Sequence, residues 1–226
     1  MPPSPADTGV APGPRRDRAL PARRDVRERP VPTDRTTGWL LLAGGLLGLA
    51  ASFVLAVEKY ALLADPAYVP TCSLNPVLSC GSVMSSPQAE LFGFPNPLLG
   101  VAGFPVVVVT GALLLAGTRL PGWFWAGLQV GVTAAVALVH WLIVSSLYRI
   151  GALCPYCMVV WAVTIPVFWY VTLRNLAAVQ HRLPPGVRRT AAAVRAGHGI
   201  VLTAWFLLIT AAIVERFWLY WSTLVA

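Results

Sequence analysis

The sequence predicts an all-α integral membrane protein with five transmembrane helices, and three observations carry that reading. First, 57% of the 226 residues are hydrophobic and only 12% are charged, where an ordinary soluble domain carries about 25% charge. Second, five apolar runs occur, each long enough for the roughly 20 residues, about 30 Å of helix, that a bilayer core requires. Third, the basic residues fall on alternate connections between those runs, as the positive-inside rule demands of a multi-pass protein. A soluble enzyme is excluded on these grounds, and no nucleic-acid partner is expected despite the formal charge of +8.

Residues 1–37 hold eight Arg, five acids and eight Pro, with no apolar periodicity from which to build a core. They read as a disordered basic cytoplasmic tail ahead of a membrane domain over 38–226. The Arg pairs at 15/16 and 23/24 lack the apolar motif of a twin-arginine export signal. The first span covers 38–57, with Trp39 at one interface and Glu58, Lys59 and Tyr60 at the other. Gly44 and Gly48 give it a small-x-x-x-small face suited to close helix packing.

A loop of about 40 residues follows, 58–96, which is long enough to suggest function. It contains Cys72 and Cys80, and a short interfacial helix is expected near 83–91. The second span covers 97–116, kinked at Pro105, and a tight turn at 118–122 leads to the third, 123–147. His140 lies inside that span, where an ionisable residue is either functional or a neutral hydrogen-bonding group; a bond to a neighbouring helix is the expected role. The fourth span, 154–173, bends at Pro166, a basic connector occupies 174–197, and the fifth span runs 198–220 with Glu215 and Arg216 set to reach headgroups. With the N-terminus inside, the inner segments hold 14 basic residues and the outer ones Lys59, Arg149 and Arg216. All four cysteines then fall on the extracytoplasmic face of a plasma membrane, in an oxidising compartment.

The fourth span opens with Cys154-Pro-Tyr-Cys157. Cys154 fits the N-cap and Pro155 the first helical position, so the helix terminus, aided by Arg149, favours a Cys154 thiolate. Cys157, one turn further in, should meet apolar surroundings. Haem attachment is excluded because Met158 follows Cys157. A purely structural disulfide and a zinc site made with Cys72 and Cys80 remain alternatives, although a C-x7-C spacing is not a zinc knuckle. Two dithiol pairs on one face, one in an aqueous loop and one beside lipid, suggest a relay between a soluble redox protein and a membrane quinone.

The C-x7-C of the first outer loop, SCGSVMSSP from Ser79, FPNPLLG from Phe94 and CPYC from Cys154 together resemble the vitamin K epoxide reductase family in its bacterial form, over about residues 39–174. The resemblance implies a four-helix bundle around a quinone, menaquinone or ubiquinone, with the fifth helix beside it. Cys72 and Cys80 look like the loop shuttle pair, and Cys154 and Cys157 like the active-site pair. In the family pattern a reduced partner attacks the loop disulfide, Cys80 attacks Cys154, and Cys157 leaves as the thiolate facing the quinone, an order that agrees with the helix geometry, which makes Cys154 exposed and Cys157 deeper. Asn96 matches the family's donor to a quinone carbonyl, with a turn residue as its other role, and Ser86 matches a serine near the active site or else caps a helix. Trp161 stands where animal members have a quinone-donating tyrosine; as a quinone-site candidate it either donates from its indole N–H or walls the pocket, and the change counts against epoxide chemistry.

The activity this implies is disulfide formation in exported proteins, with a separate thioredoxin-like partner expected because the chain stops at Ala226. The rivals are an epoxide or quinone reductase working in the reductive direction and a non-enzymatic zinc-binding or redox-sensing membrane module.

Overall fold

A computed structural model describes residues 34–225, so the expected tail lies outside the described residues except for 34–37, which form the first turn of a helix. That helix, α1, spans Asp34–Ala64. Its 31 residues make it about 46 Å long, so it overruns a hydrocarbon core of about 30 Å at its ends. Hydropathy located only its apolar middle, because Glu58 and Lys59 interrupt the apolar run without interrupting the helix. The order continues with α2 (Cys80–Met84), α3 (Pro97–Leu115), α4 (Gly122–Ser145), α5 (Pro155–Val179), α6 (Pro185–Ala196), α7 (His198–Arg216) and α8 (Trp218–Val225). Among the described residues five helical stretches are long and apolar enough to cross a bilayer, at α1, α3, α4, α5 and α7.

Several boundaries differ from the expected ones. The basic connector 174–197 is largely helical: α5 continues to Val179, a 3-10 turn covers Gln180–Arg182, and the Ala- and Arg-rich α6 follows. Hydropathy misses α6 because Arg188, Arg189 and Arg195 offset its Ala and Val over a short stretch, while its Ala and Arg content favours helix. The fifth span breaks at Phe217, and α8 starts there as a separate helix. The interfacial helix expected at 83–91 is instead α2 plus a 3-10 turn at Pro87–Glu90. Ser79 starts α2 early by accepting a hydrogen bond from the Ser82 N–H at 3.3 Å, and Pro87 disfavours helical geometry at Ser86 before it.

α1, α3, α4 and α5 form the bundle, with α1 packed on α3 and α5, and α4 on α5. Leu41, Val107, Leu128 and Val171, one from each helix, meet in a common apolar cluster. Small residues let α1 and α3 approach: a Cβ on Gly48 would strike the Phe104 ring, and one on Gly111 would lie 2.5 Å from the Leu42 nitrogen. Gly44 faces α5 instead, with Val167 3.5 Å from where its Cβ would be. A polar contact ties α4 to α5 where Gln129 donates to Thr172 Oγ1 at 2.9 Å.

α7 packs outside the bundle and is held by polar anchors. The Trp205 indole donates to His140 Nε2 at 2.9 Å, so the ring proton sits on Nδ1 and is donated to the Val136 carbonyl at 2.7 Å. His140 is therefore the cross-helix bonding group expected of it. Arg216, placed at the headgroups by hydropathy, donates from Nε to the Leu147 carbonyl at 2.8 Å. That carbonyl belongs to a π-helical turn, Ser146–Ile150, which ends α4 at Gly151 in the left-handed conformation (φ 73°).

Candidate functional site

The site is assembled by the segment between α1 and α3, which folds back over the end of the bundle. Asn75 nucleates its turn, its side-chain oxygen accepting from the N–H groups of Val77 at 3.0 Å and Leu78 at 2.7 Å. The chain then forms a short parallel bridge with the residue ahead of α5: Leu153 N–H donates to the Val77 carbonyl at 2.7 Å, and Ser79 N–H to the Leu153 carbonyl at 2.9 Å. This pairing sets the residues that follow, Cys80 and Cys154, side by side. Their sulfurs are 3.0 Å apart.

Cys80 is joined to Cys72 in a disulfide, with Cα atoms 5.5 Å apart, while Cys154 and Cys157 are free thiols. The sulfurs of Cys72, Cys80 and Cys154 lie within 4.8 Å of one another. Two of the three are already bonded to each other and offer no thiolate to a metal, so the arrangement suits sulfur exchange better than ligation. Leu55 of α1 and Met84 of α2 pack around the three sulfurs.

One expectation is reversed. Cys154, taken as the more exposed active-site cysteine, is completely buried together with Cys80, and Cys72 is only 5% exposed. The reason is tertiary: Val77–Ser79 and α2 lie over the start of α5, a cover that residue spacing does not reveal. Cys157 is the more accessible of the CPYC pair and lines the cavity described below.

The Cys154 thiol is held below the ordinary range. A hydrogen bond from the Cys157 side chain does most, with the backbone N–H groups of Cys157 and Tyr156 helping, and together these outweigh the burial that pushes the other way. The N-cap geometry supplies the first of those N–H groups: Cys157 N donates to Cys154 Sγ at 3.4 Å. Arg149, expected to contribute, lies on the exposed surface.

Beneath the sulfurs a cavity of about 690 Å³ extends between the bundle helices. Val83 and Met84 line it from the loop side, Phe104 from α3, Leu128 from α4, and Cys157 and Trp161 from α5. Trp161 is buried and also packs on Val139, Ile143 and Leu153, so it acts at least as a wall. Ser86 reaches the cavity and donates to the Val83 carbonyl at 2.7 Å; it does not cap the turn that follows it. Asn96 reaches it as well, but its amide also does the turn work: Nδ2 donates to the Gln88 carbonyl at 2.7 Å and Oδ1 accepts from the Leu91 N–H at 3.1 Å. One Nδ2 hydrogen is committed there, which leaves one for a ligand.

Sequence reasoning missed two residues beside the site. Glu58 and Lys59 are each only 6% exposed, and both bond to the covering segment. The available signal was an adjacent acid–base pair ending an apolar run, which hydropathy assigns to the headgroup layer.

A search of curated proteins found no match. The sequence profile of the Vitamin K epoxide reductase family matches residues 39–172, more than half of the chain and the stretch that carries all four cysteines. With the covered cysteine cluster above an apolar cavity, this match places the protein: the chain belongs to the vitamin K epoxide reductase family, whose members are membrane oxidoreductases that work through cysteines.

Proposed function

We propose that the protein is a quinone-dependent thiol–disulfide oxidoreductase that drives disulfide formation in exported proteins. In this reading a thioredoxin-like partner with a reduced dithiol attacks Cys72, forming a partner–Cys72 disulfide and releasing Cys80 as a thiolate. Cys80 attacks Cys154 of an oxidised Cys154–Cys157 pair and releases Cys157 as a thiolate at the cavity. The partner's second thiol displaces Cys72, leaving the partner oxidised. Cys72 then displaces Cys154 from Cys80, which restores the loop disulfide. Two electrons have now moved to Cys154 and Cys157, and the chain stands in the state of the structure, with Cys72–Cys80 closed and the other two cysteines reduced.

A quinone supplies the final two-electron, two-proton acceptor when bound. The cavity fits one in size, since small-molecule sites run to about 300–1,000 Å³, and in chemistry, since apolar walls surround a few polar groups. Cys157 is the residue placed to pass electrons on, Cys154 the one to close the disulfide, and Asn96 and Ser86 the groups able to orient a carbonyl. Trp161 walls the cavity that would hold the quinone. The charge asymmetry supports an orientation with the cysteines and C-terminus extracytoplasmic, where exported proteins and an oxidising milieu are found.

The observation that carries the reading is the 3.0 Å separation between Cys80 of the loop disulfide and the Cys154 thiol. The test is quinone reduction by membranes supplied with either a thioredoxin-like protein dithiol or dithiothreitol. Cys157→Ala should abolish both reactions, whereas Cys72→Ala should abolish only the protein-driven one. Equal losses from both donors in Cys72→Ala would refute the relay.

A further inference from the structure

Glu58 and Lys59 are adjacent on α1, both buried, and each grips a different arm of the disulfide loop. The Glu58 carboxylate accepts from the Tyr68 hydroxyl at 2.9 Å, and from the Thr71 hydroxyl at 2.5 Å and Thr71 N–H at 3.3 Å, directly before Cys72. Lys59 Nζ donates to the Met84 carbonyl at 2.7 Å and pairs with Glu90 at 2.9 Å. Met84 ends the short helix that begins at Cys80, and that helix has no basic residue in its own last turn. Lys59 thus supplies, from another element, the cation that a helix C-terminus favours. Burying a charge is costly unless it is paired, and here the pairing falls on the residue before one cysteine and on the helix that starts with the other.

We propose that Glu58 and Lys59 are positioning residues for the shuttle step, clamping the Cys72 and Cys80 arms so that Cys80 stays against Cys154. The clamp acts on transfer between the two cysteine pairs, and it rests on the relay described above. Neither side chain lines the cavity, and their polar partners are Tyr68, Thr71, Met84 and Glu90.

The test uses the full-length protein in membranes with Lys59→Met, Lys59→Arg, Glu58→Gln and Thr71→Val. The protein-driven rate should fall about tenfold or more in Lys59→Met and Glu58→Gln, as a reacting-group displacement well under 1 Å suffices for that. The dithiothreitol-driven rate, which enters at the cavity-facing Cys157 without passing through the loop pair, should change less than about twofold. The loss should appear in kcat and not in the KM for the quinone. Lys59→Arg, which keeps the cation, should recover most of the rate. In a Cys72→Ser background, where the Cys80–Cys154 disulfide can be isolated, Lys59→Met should lower its yield.

Equal losses with both donors would show a merely structural role, and no loss with either would overturn the clamp outright. If Lys59→Met and Glu58→Gln fail to accumulate, Thr71→Val decides, because it deletes only the hydroxyl bond to Glu58; an unchanged ratio of the two rates would then refute the proposal. Failure of the relay itself would show differently, as quinone reduction surviving in Cys157→Ala.

Discussion

Replacing Cys72 and Cys157 together with Ser leaves Cys80 and Cys154 as the only thiols in the chain, and the structure predicts that these two will cross-link. Their sulfurs lie 3.0 Å apart, and a disulfide requires about 2.05 Å, so closure asks for about 1 Å of movement. The Leu78–Leu153 bridge already fixes the two backbones beside each other. Well-oriented intramolecular groups reach effective concentrations of about 10⁵ M or more. Even an allowance of about 1 M for imperfect alignment leaves a competing thiol at about 1 mM disfavoured roughly 10³-fold. Protein purified without reductant should therefore contain the Cys80–Cys154 disulfide in about nine-tenths of molecules or more, by mass spectrometry of peptides under non-reducing conditions. The Cys72→Ser, Cys154→Ser variant, which leaves Cys80 and the cavity-facing Cys157, should cross-link much less. Recovery of both thiols by alkylation in more than half of a folded Cys72→Ser, Cys157→Ser sample would refute the argued proximity.

Three further outcomes follow from the geometry. Because the Cys154 thiol is held below the ordinary range, chiefly by Cys157, its thiolate absorbance should rise at a pH below the usual midpoint of about 8.5, and Cys157→Ala should move that rise upward. A lowered pKa stabilises the folded state fully above the unfolded value and loses that contribution as pH falls through the folded one, so reduced protein should resist unfolding better at the alkaline side of that window. Gly111→Ala puts a Cβ 2.5 Å from Leu42 N and 2.8 Å from Gly38 O, both backbone atoms that cannot swing away, so it should cost about 1–3 kcal/mol in a detergent-unfolding titration; Gly199→Ala, with nothing within 4 Å, should cost nothing measurable. Asn96→Leu removes both backbone ties of the amide and should lower the thermal midpoint as well as raise the KM for the quinone; an unchanged midpoint would mean that the ties to Gln88 and Leu91 do not hold the loop.

The helical spans were legible because the bilayer imposes one constraint on every residue along them, and an apolar run of about 20 residues satisfies it whatever it later packs against. His140 was legible for the same reason, since a polar ring at that depth must find a partner, and Trp205 provides one. Boundaries were less legible where helix and apolar run part company: Glu58 and Lys59 lie inside α1 yet outside its apolar stretch, and α6 has helix-forming residues but an apolar content broken up by three Arg. The cover over the cysteines left the weakest trace. Leu153 is one apolar residue among many in the sequence, and only the fold shows that its N–H and carbonyl receive Val77 and Ser79. Local spacing put the two cysteine pairs on one face, and the structure sets Cys80 beside Cys154, but the accessible member of CPYC is the reverse of the one that spacing suggested.

That inversion changes how the relay has to be understood. An exposed Cys154 would react with any small thiol or oxidant that reached the membrane surface, and the two cysteine pairs would be insulated only by rate. With Cys80 and Cys154 fully buried and Cys72 almost so, a soluble partner must displace the outer arm of the loop before it can attack Cys72, while Cys157 alone opens toward the apolar cavity. In the proposed relay, access is then divided by solvent: the protein donor would come from the aqueous side, the lipid-soluble acceptor from the bilayer side, with a covered sulfur contact between them. Such a division requires the Cys72 arm to open transiently and be drawn back by Glu58 for the return of Cys72 to Cys80, while Cys80 holds throughout, and the anchors are distributed to allow it. The Cys72 arm is held at Glu58 by hydrogen bonds alone, whereas the Cys80 arm has the Lys59–Glu90 ion pair and Met84 carbonyl in addition to the backbone bridge to Leu153. The arm that must open has the fewer kinds of attachment, and the arm that must stay in place keeps its sulfur at the exchange distance.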